Sequence, residues 1–156
     1  MTRITVRREI AASPEVVFRT ITDVEGMPDA NPDVVRVEFL SEQRSGVGTR
    51  FRETRRMEKK EMDTDLEVTE FDPPARARMV TDSHGTVWDT TFRVRPTDRG
   101  CELEIAMDAR PHALLPRIMN PLMRPVFRKG MEKHLVHLAR YCEALPDDPD
   151  DRPRAG

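Results

Sequence analysis

The side chains best suited to chemistry lie on one alternating stretch and on one helix. In Phe51-Arg52-Glu53-Thr54-Arg55 the period of two that should carry apolar residues inward carries Phe51, Glu53 and Arg55 instead. A carboxylate and a guanidinium at i and i+2 on an inward face are costly unless each is partnered. Either this pair orients a polar group of a ligand, with Glu53 able to act as an acid or base, or the strand lies at a sheet edge or cavity mouth where both side chains reach water. The third candidate is His134, at the edge of an apolar helical stripe with Tyr141 seven residues on. It reads as a polar group lining the same interior or as a histidine packed at the rim of the core. His134 and His137 stand at i and i+3 without a third ligand at suitable spacing, so no metal site is assigned. His84 and His112 read as surface loop residues. Neither a Ser/His/Asp signature nor a Gly-rich phosphate loop is present.

Strands must position most of these groups. Thr2–Ile10 alternates Ile4, Val6 and Ile10 against charged neighbours. From Val34 the same period continues, with Val35, Val37 and Phe39 sharing a face, and then runs through Thr49–Met57, Met62–Phe71, Ala75–Ser83, Thr86–Arg95 and Cys101–Ala109. Polar and glycine turns separate them: Gly46-Val47-Gly48, Glu58-Lys59-Lys60-Glu61, Asp72-Pro73-Pro74, His84-Gly85 and Thr97-Asp98-Arg99-Gly100. Pairing Met57 with Met62 sets Arg56 opposite Asp63 and Arg52 opposite Glu67. The His84-Gly85 turn sets Thr81 opposite Trp88 and Met79 opposite Thr90. Beyond the last turn Val94 meets Leu103 and Phe92 meets Ile105, while Arg95 faces Glu102 and Arg93 faces Glu104. One parity serves both faces, and a slip of one residue would bury the charges. The inward set then contains Phe51, Leu66, Met79, Trp88 and Met107, with Thr64, Thr81 and Thr90 as polar exceptions.

Two helical regions complete the chain. Ala12-Ser13-Pro14-Glu15 is a helix start, with Ser13 as cap and Pro14 at the first position. Val17, Phe18, Ile21 and Val24 form its buried face, and Met27 to Asn31 leaves room for one further turn. Near the C-terminus Phe127, Met131, Leu135, Leu138, Cys142 and Leu145 step by threes and fours along a helix expected from about Val126 to Leu145. His112 to Pro125 carries Met119 and Met123 but also Pro116, Pro121 and Pro125, so a kinked or broken, movable entrance is expected there. Methionine suits a cavity that adapts to its ligand. The basic cluster Arg117, Arg124, Arg128 and Lys129 reads as a solvated face or as a site for an anionic headgroup at the cavity entrance. Residues 146–156, acidic and proline-rich, are expected to be disordered.

Composition excludes several classes. With 156 residues, 26 basic and 28 acidic side chains and a net charge of -2, the chain reads as one domain with no field suited to nucleic acid. Cys101 and Cys142 are too few for a disulfide framework and read as reduced and buried. Charges interrupt every apolar run well short of ~18 residues, so no membrane span is expected. Without an apolar leader segment, the expected compartment is the cytoplasm.

The order of strand, one or two short helices, six antiparallel strands and a long helix resembles the START-like superfamily. This is the helix-grip group of polyketide cyclases/dehydrases and lipid-transport proteins (SRPBCC). Ala12-Ser13-Pro14-Glu15-Val16-Val17-Phe18 at the first helix, Asp23 at its close, and the Gly46-Val47-Gly48-Thr49, Phe71-Asp72-Pro73-Pro74 and Gly100 turns carry the resemblance over residues 2 to 145. Met27 departs from it, since relatives often have an aromatic there. The resemblance implies an α+β fold in residues 1–145, a curved seven-stranded antiparallel sheet wrapped around the C-terminal helix with a cavity between them. Relatives bind lipids, sterols, hormones, quinones or polyketides. The expected function is therefore binding a hydrophobic small molecule for transport or sequestration. The alternatives are an aromatase/cyclase or dehydratase acting on a poly-β-ketone through Glu53, Arg55 and His134, and a non-catalytic protein-interaction module. No cofactor is implied, and a homodimer is compatible with the sequence.

Overall fold

A computed structural model describes residues 2–145, apart from the side chain of Met57. The tail expected to be disordered lies outside the described residues. The chain runs β1 (Thr2–Ile10), α1 (Pro14–Thr22), α2 (Met27–Ala30), β2 (Val34–Phe39), β3 (Arg50–Met57), β4 (Lys60–Asp72), β5 (Arg76–Ser83), β6 (Thr86–Thr97), β7 (Gly100–Pro111) and α3 (Leu114–Ala144). The strands form one seven-stranded antiparallel sheet in the order β1-β7-β6-β5-β4-β3-β2. This is the helix-grip architecture that the element order implies. Its core joins Ile4, Phe51, Phe92, Leu103 and Ile105 of the sheet to Val17, Phe18 and Ile21 of α1 and Leu135, Leu138 and Cys142 of α3. Both cysteines are buried, and burial pushes the Cys101 thiol up to about 11.

The two later hairpins have the expected register, with Thr81 opposite Trp88, Met79 opposite Thr90, Val94 opposite Leu103 and Phe92 opposite Ile105. The β3–β4 hairpin differs. Met57 stands opposite Lys60 and not Met62, because Glu58 takes a φ of 57° and turns the chain within two residues. Such a turn matches the strand twist, and it brings Lys60 and Glu61 into β4. Arg52 therefore meets Asp65, its Nε 2.7 Å from the carboxylate, and Arg56 meets Glu61 at 3.5 Å. The shift is an even number of residues, so no side chain changes face.

Two bulges re-aim side chains that strict alternation would misplace. In β2 the pairing skips between Val34 and Arg36, so Val34, Val37 and Phe39 share the inner face and Val35 is the extra residue. In β4 it skips between Val68 and Glu70. Phe71 thereby turns inward, its ring 5.3 Å from that of Phe18, while Glu70 turns out to Arg76 and Arg78. The outer face carries a chain of charges across the sheet. Arg78 and Arg110 both donate to the buried Asp89, and Arg3 donates to Asp108. The guanidinium of Arg78 holds the Asp89 carboxyl below the usual carboxylate range.

The long helix is the main departure. It runs unbroken from Leu114, including Pro121 and Pro125, where a kinked or broken segment is expected from the sequence. Pro116 lies in the first turn, whose amide groups have no partner within the helix, so its missing donor costs little. The start of α3 is also held from outside. The amides of His112 and Ala113 donate to the Gly85 carbonyl at 2.9 and 3.2 Å, His112 Nε2 contacts Asp82 at 2.8 Å, and Asn120 Nδ2 donates to Thr86 Oγ1 at 3.1 Å. These tertiary contacts outweigh the loss of two internal donors. The segment expected to be kinked or broken is thus continuous helix, anchored at its start to the β5–β6 hairpin.

Candidate functional site

The geometry of the site follows from strand parity. On β3 the residues facing α3 are Phe51, Glu53 and Arg55, set opposite Phe39, Val37 and Val34 of the edge strand β2. On the other side Glu53 stands opposite Thr64 and Phe51 opposite Leu66. Glu53 is only 7% exposed, and it accepts a hydrogen bond from Nε of Arg55, whose own side chain stays partly open to water. The costly inward charge pair is thus resolved by mutual pairing beside the edge strand, with one member reaching solvent.

His134 of α3 joins them. Burial and the nearby Arg55 charge, with a smaller contribution from His137, push its pKa down to about 3. The ring is therefore neutral near pH 7. At that pKa it is a weak general base, since proton transfer is most effective when the pKa lies near the operating pH. It is better suited to hydrogen bonding. Asp33 tempers the shift from the loop before β2, where it also pairs with Lys133 at 3.3 Å. Glu53 and Arg55, two residues apart, pair directly, and His134, far off in sequence, lies near enough for the Arg55 charge to act on its ring.

The His134 shift has a consequence for stability. Its pKa lies near 3 in the folded chain and near 6.5 when unfolded. Between those values the unfolded chain binds more protons, so stability falls as pH drops, by up to about 1.4 kcal/mol per unit. Moving from pH 7 to pH 5 should therefore cost about 2 kcal/mol that a His134→Gln variant does not lose. Urea unfolding of both proteins at both pH values measures this; equal losses would remove His134 as the cause.

The other expected ligand-binding residues divide into two groups. Phe51 and Met79 are sealed in the core, and buried Thr81 donates its hydroxyl to the Asp65 carbonyl. These three fill and brace the structure. Thr64, Leu66, Trp88, Thr90 and Met107 on the sheet, and Met123, Phe127, Met131 and His134 on α3, are only half-buried although they face inward. Trp88 and Phe127 meet edge to face with centroids 5.1 Å apart, bridging sheet and helix. Among the described residues no hydrogen bond engages the hydroxyls of Thr64 or Thr90. Met119 is exposed and lies at the outer rim. The sheet and helix thus turn toward each other apolar side chains that keep access to solvent, with two unengaged hydroxyls, the Glu53–Arg55 pair and His134 among the half-buried or polar groups there.

A second opening was not anticipated from the sequence. A cleft of about 660 Å³ lies between α1 and the turns after β2 and β4, lined by Glu15, Phe18, Arg19, Phe39, Arg44, Phe71 and Pro73 among others. Arg44 lies over the Phe39 ring at 4.7 Å and pairs with Glu25. The bulge that turns Phe71 inward creates one wall. A Val-Thr-Glu-Phe run that breaks the period of two is the signal that could have disclosed it.

The chain matches the family model described as "Polyketide cyclase / dehydrase and lipid transport" over residues 1–143. Among solved structures it resembles a protein of Thermus thermophilus, with 20% identity, a TM-score of 0.75, and 92% of this chain and 98% of that chain covered. A START superfamily protein from Mycobacterium smegmatis gives 16% identity, a TM-score of 0.76, and coverage of 92% and 99%. The di-domain ARO/CYC StfQ from the steffimycin biosynthetic pathway gives 14% identity and a TM-score of 0.76, with 90% of this chain matching 50% of that one. At these identities the likeness is one of fold. No curated protein matches the sequence.

Proposed function

We propose, from the premise that this chain belongs to the polyketide cyclase/dehydrase and lipid transport family, that it takes a hydrophobic small molecule between the inner face of its sheet and α3. The observation that carries this reading is the incomplete burial of apolar side chains on the inner face of the sheet and on α3. Leu66, Met107, Phe127 and Met131 pack against the core yet keep part of their surface open, as do Trp88 and Met123. Filled by an apolar ligand, that surface would leave water, the dominant favourable contribution to such binding. Thr64, Thr90, Arg55 and His134 would supply the few polar contacts that set orientation. A ligand with an apolar body and one carbonyl, hydroxyl or carboxylate end fits this distribution.

The single tryptophan of the chain is a built-in reporter, because Trp88 lines the space. Titration with a panel of fatty acids, quinones and aromatic polyketides should shift Trp88 emission and raise the melting temperature for at least one class. Phe127→Ala should weaken that response by roughly tenfold, the effect expected for losing one buried aromatic contact. Absence of any emission or thermal shift, together with native mass spectra free of adducts, would refute the proposal.

A second reading is favoured by the Glu53–Arg55–His134 cluster itself. A guanidinium held by a buried carboxylate is a fixed electrophile for a polarised carbonyl, as cyclisation of a poly-β-ketone needs. In that reaction Glu53 is the candidate proton carrier, since the depressed pKa of His134 suits it poorly. Turnover of a poly-β-ketone substrate that survives Glu53→Gln unchanged would eliminate this role.

A further inference from the structure

The first half of α3 turns an apolar face away from the protein. Leu114, Ile118, Leu122 and Val126 step by four along one row, and Leu115 and Met119 form the row beside it. Leu114 is 75% and Leu122 70% exposed, far from what core-facing residues of an amphipathic helix show. The sheet-facing side of the same segment is a different set, with Asn120 buried and Phe127 half-buried. Among the described residues, nothing covers the outward face.

Charge around this face is one-sided. Between His112 and Met131 there is no aspartate or glutamate, while Arg117, Arg124, Arg128 and Lys129 are all present, in a chain whose net charge is -2. Arg117, Arg124 and Arg128, spaced seven and four apart, line one flank of the apolar rows. Arg128 donates to the Thr5 carbonyl at 3.2 Å, and among the described residues no carboxylate pairs with Arg117, Arg124 or Lys129.

We infer that this face docks on an anionic lipid bilayer, the apolar rows entering the headgroup boundary and the arginine row meeting lipid phosphates. Two features select this occupant. A helix with exposed leucines and a cationic flank matches an interface whose depth is apolar and whose rim is negative. A second copy of the chain would set two acid-free arginine rows beside each other, and a like-charge pairing opposes such a dimer. The helix lies on the surface and does not cross, since no helix of the described residues is long and apolar enough to span a bilayer. The inference is independent of what the interior binds, although it would bring that interior beside a source of apolar molecules.

Flotation with vesicles tests it. The intact protein should bind vesicles of phosphatidylcholine mixed with phosphatidylglycerol, and roughly tenfold more weakly bind pure phosphatidylcholine, with added salt weakening the former. The double variant Ile118→Glu/Leu122→Glu should lose binding, and Arg117→Glu/Arg124→Glu should lose the preference for the anionic vesicles. All four positions are exposed, so unchanged thermal unfolding will verify that the variants fold. Wild-type protein that stays unbound on anionic vesicles overturns the inference. So does vesicle binding that survives Ile118→Glu/Leu122→Glu, or light scattering that shows a dimer dissolved by that variant without any vesicle binding.

Discussion

Replacing Arg55 with methionine is expected to destabilise the protein by about 3 kcal/mol, more than removal of a surface ion pair would. The reason lies with its partner. Glu53 is 7% exposed and its hydrogen bond comes from Arg55. Without that bond a carboxylate is left unpaired in a place water scarcely reaches. A Glu53→Gln/Arg55→Met double variant should recover most of the loss, because a neutral amide tolerates the site better than an unpaired charge. The double-mutant cycle, measured by urea unfolding at pH 7, isolates the pairwise contribution. If Arg55→Met alone proved as stable as the parent, Glu53 would be solvated in solution and the cluster would be a surface feature.

Gly100→Ala is expected to cost about 2–4 kcal/mol, with the opposite sign at Gly130. Gly100 opens β7 at a φ of 146°, and a methyl group there would press into the Ile10 carbonyl and lie 2.7 Å from the Ala12 carbonyl oxygen. Both obstacles are backbone, in the segment that joins β1 to α1, so neither can rotate aside. At Gly130, within α3, a methyl group would meet nothing within 4 Å. Gly130→Ala should therefore stabilise by about 0.5–1 kcal/mol, the helix preference for alanine. Thermal unfolding of the two variants against the parent gives the comparison directly. Equal and small effects would show that the turn before β7 relaxes freely.

The strand pattern and its parity were legible because outward charges such as Arg93 and Arg95 had opposite charges, Glu104 and Glu102, waiting across the turn. Where a hairpin turned more tightly than its polar residues suggested, as at Glu58, the error was even and no face was lost. The bulges left only faint signals, adjacent Val34-Val35 and a Val68-to-Phe71 spacing of three, which matter once one asks which aromatic must be buried. The unbroken start of α3 was hidden for a different reason. Local proline chemistry argued for a break, and what opposes it comes from Gly85 and Thr86, distant in sequence. Glu53, Arg55 and His134 could be nominated by their wrongness for a core. That the Arg55 charge reaches the His134 ring depends on how α3 lies against the sheet, which no spacing encodes.

The attachment of α3 sets how its interior exchanges contents. Its start is tied to the β5–β6 hairpin by Gly85 and Thr86, and near its other end Glu143 accepts from the Ala11 amide at 3.1 Å. Along its length it packs mainly against β1 and β7. A beam clamped at both ends does not swing like a door. For the ligand proposed above, passage would then be lateral, past partly buried side chains such as Arg55, His134 and Met131. Rotamer changes of such groups take picoseconds to nanoseconds when exposed. Uptake and release would accordingly be governed by affinity, with no slow backbone step before them.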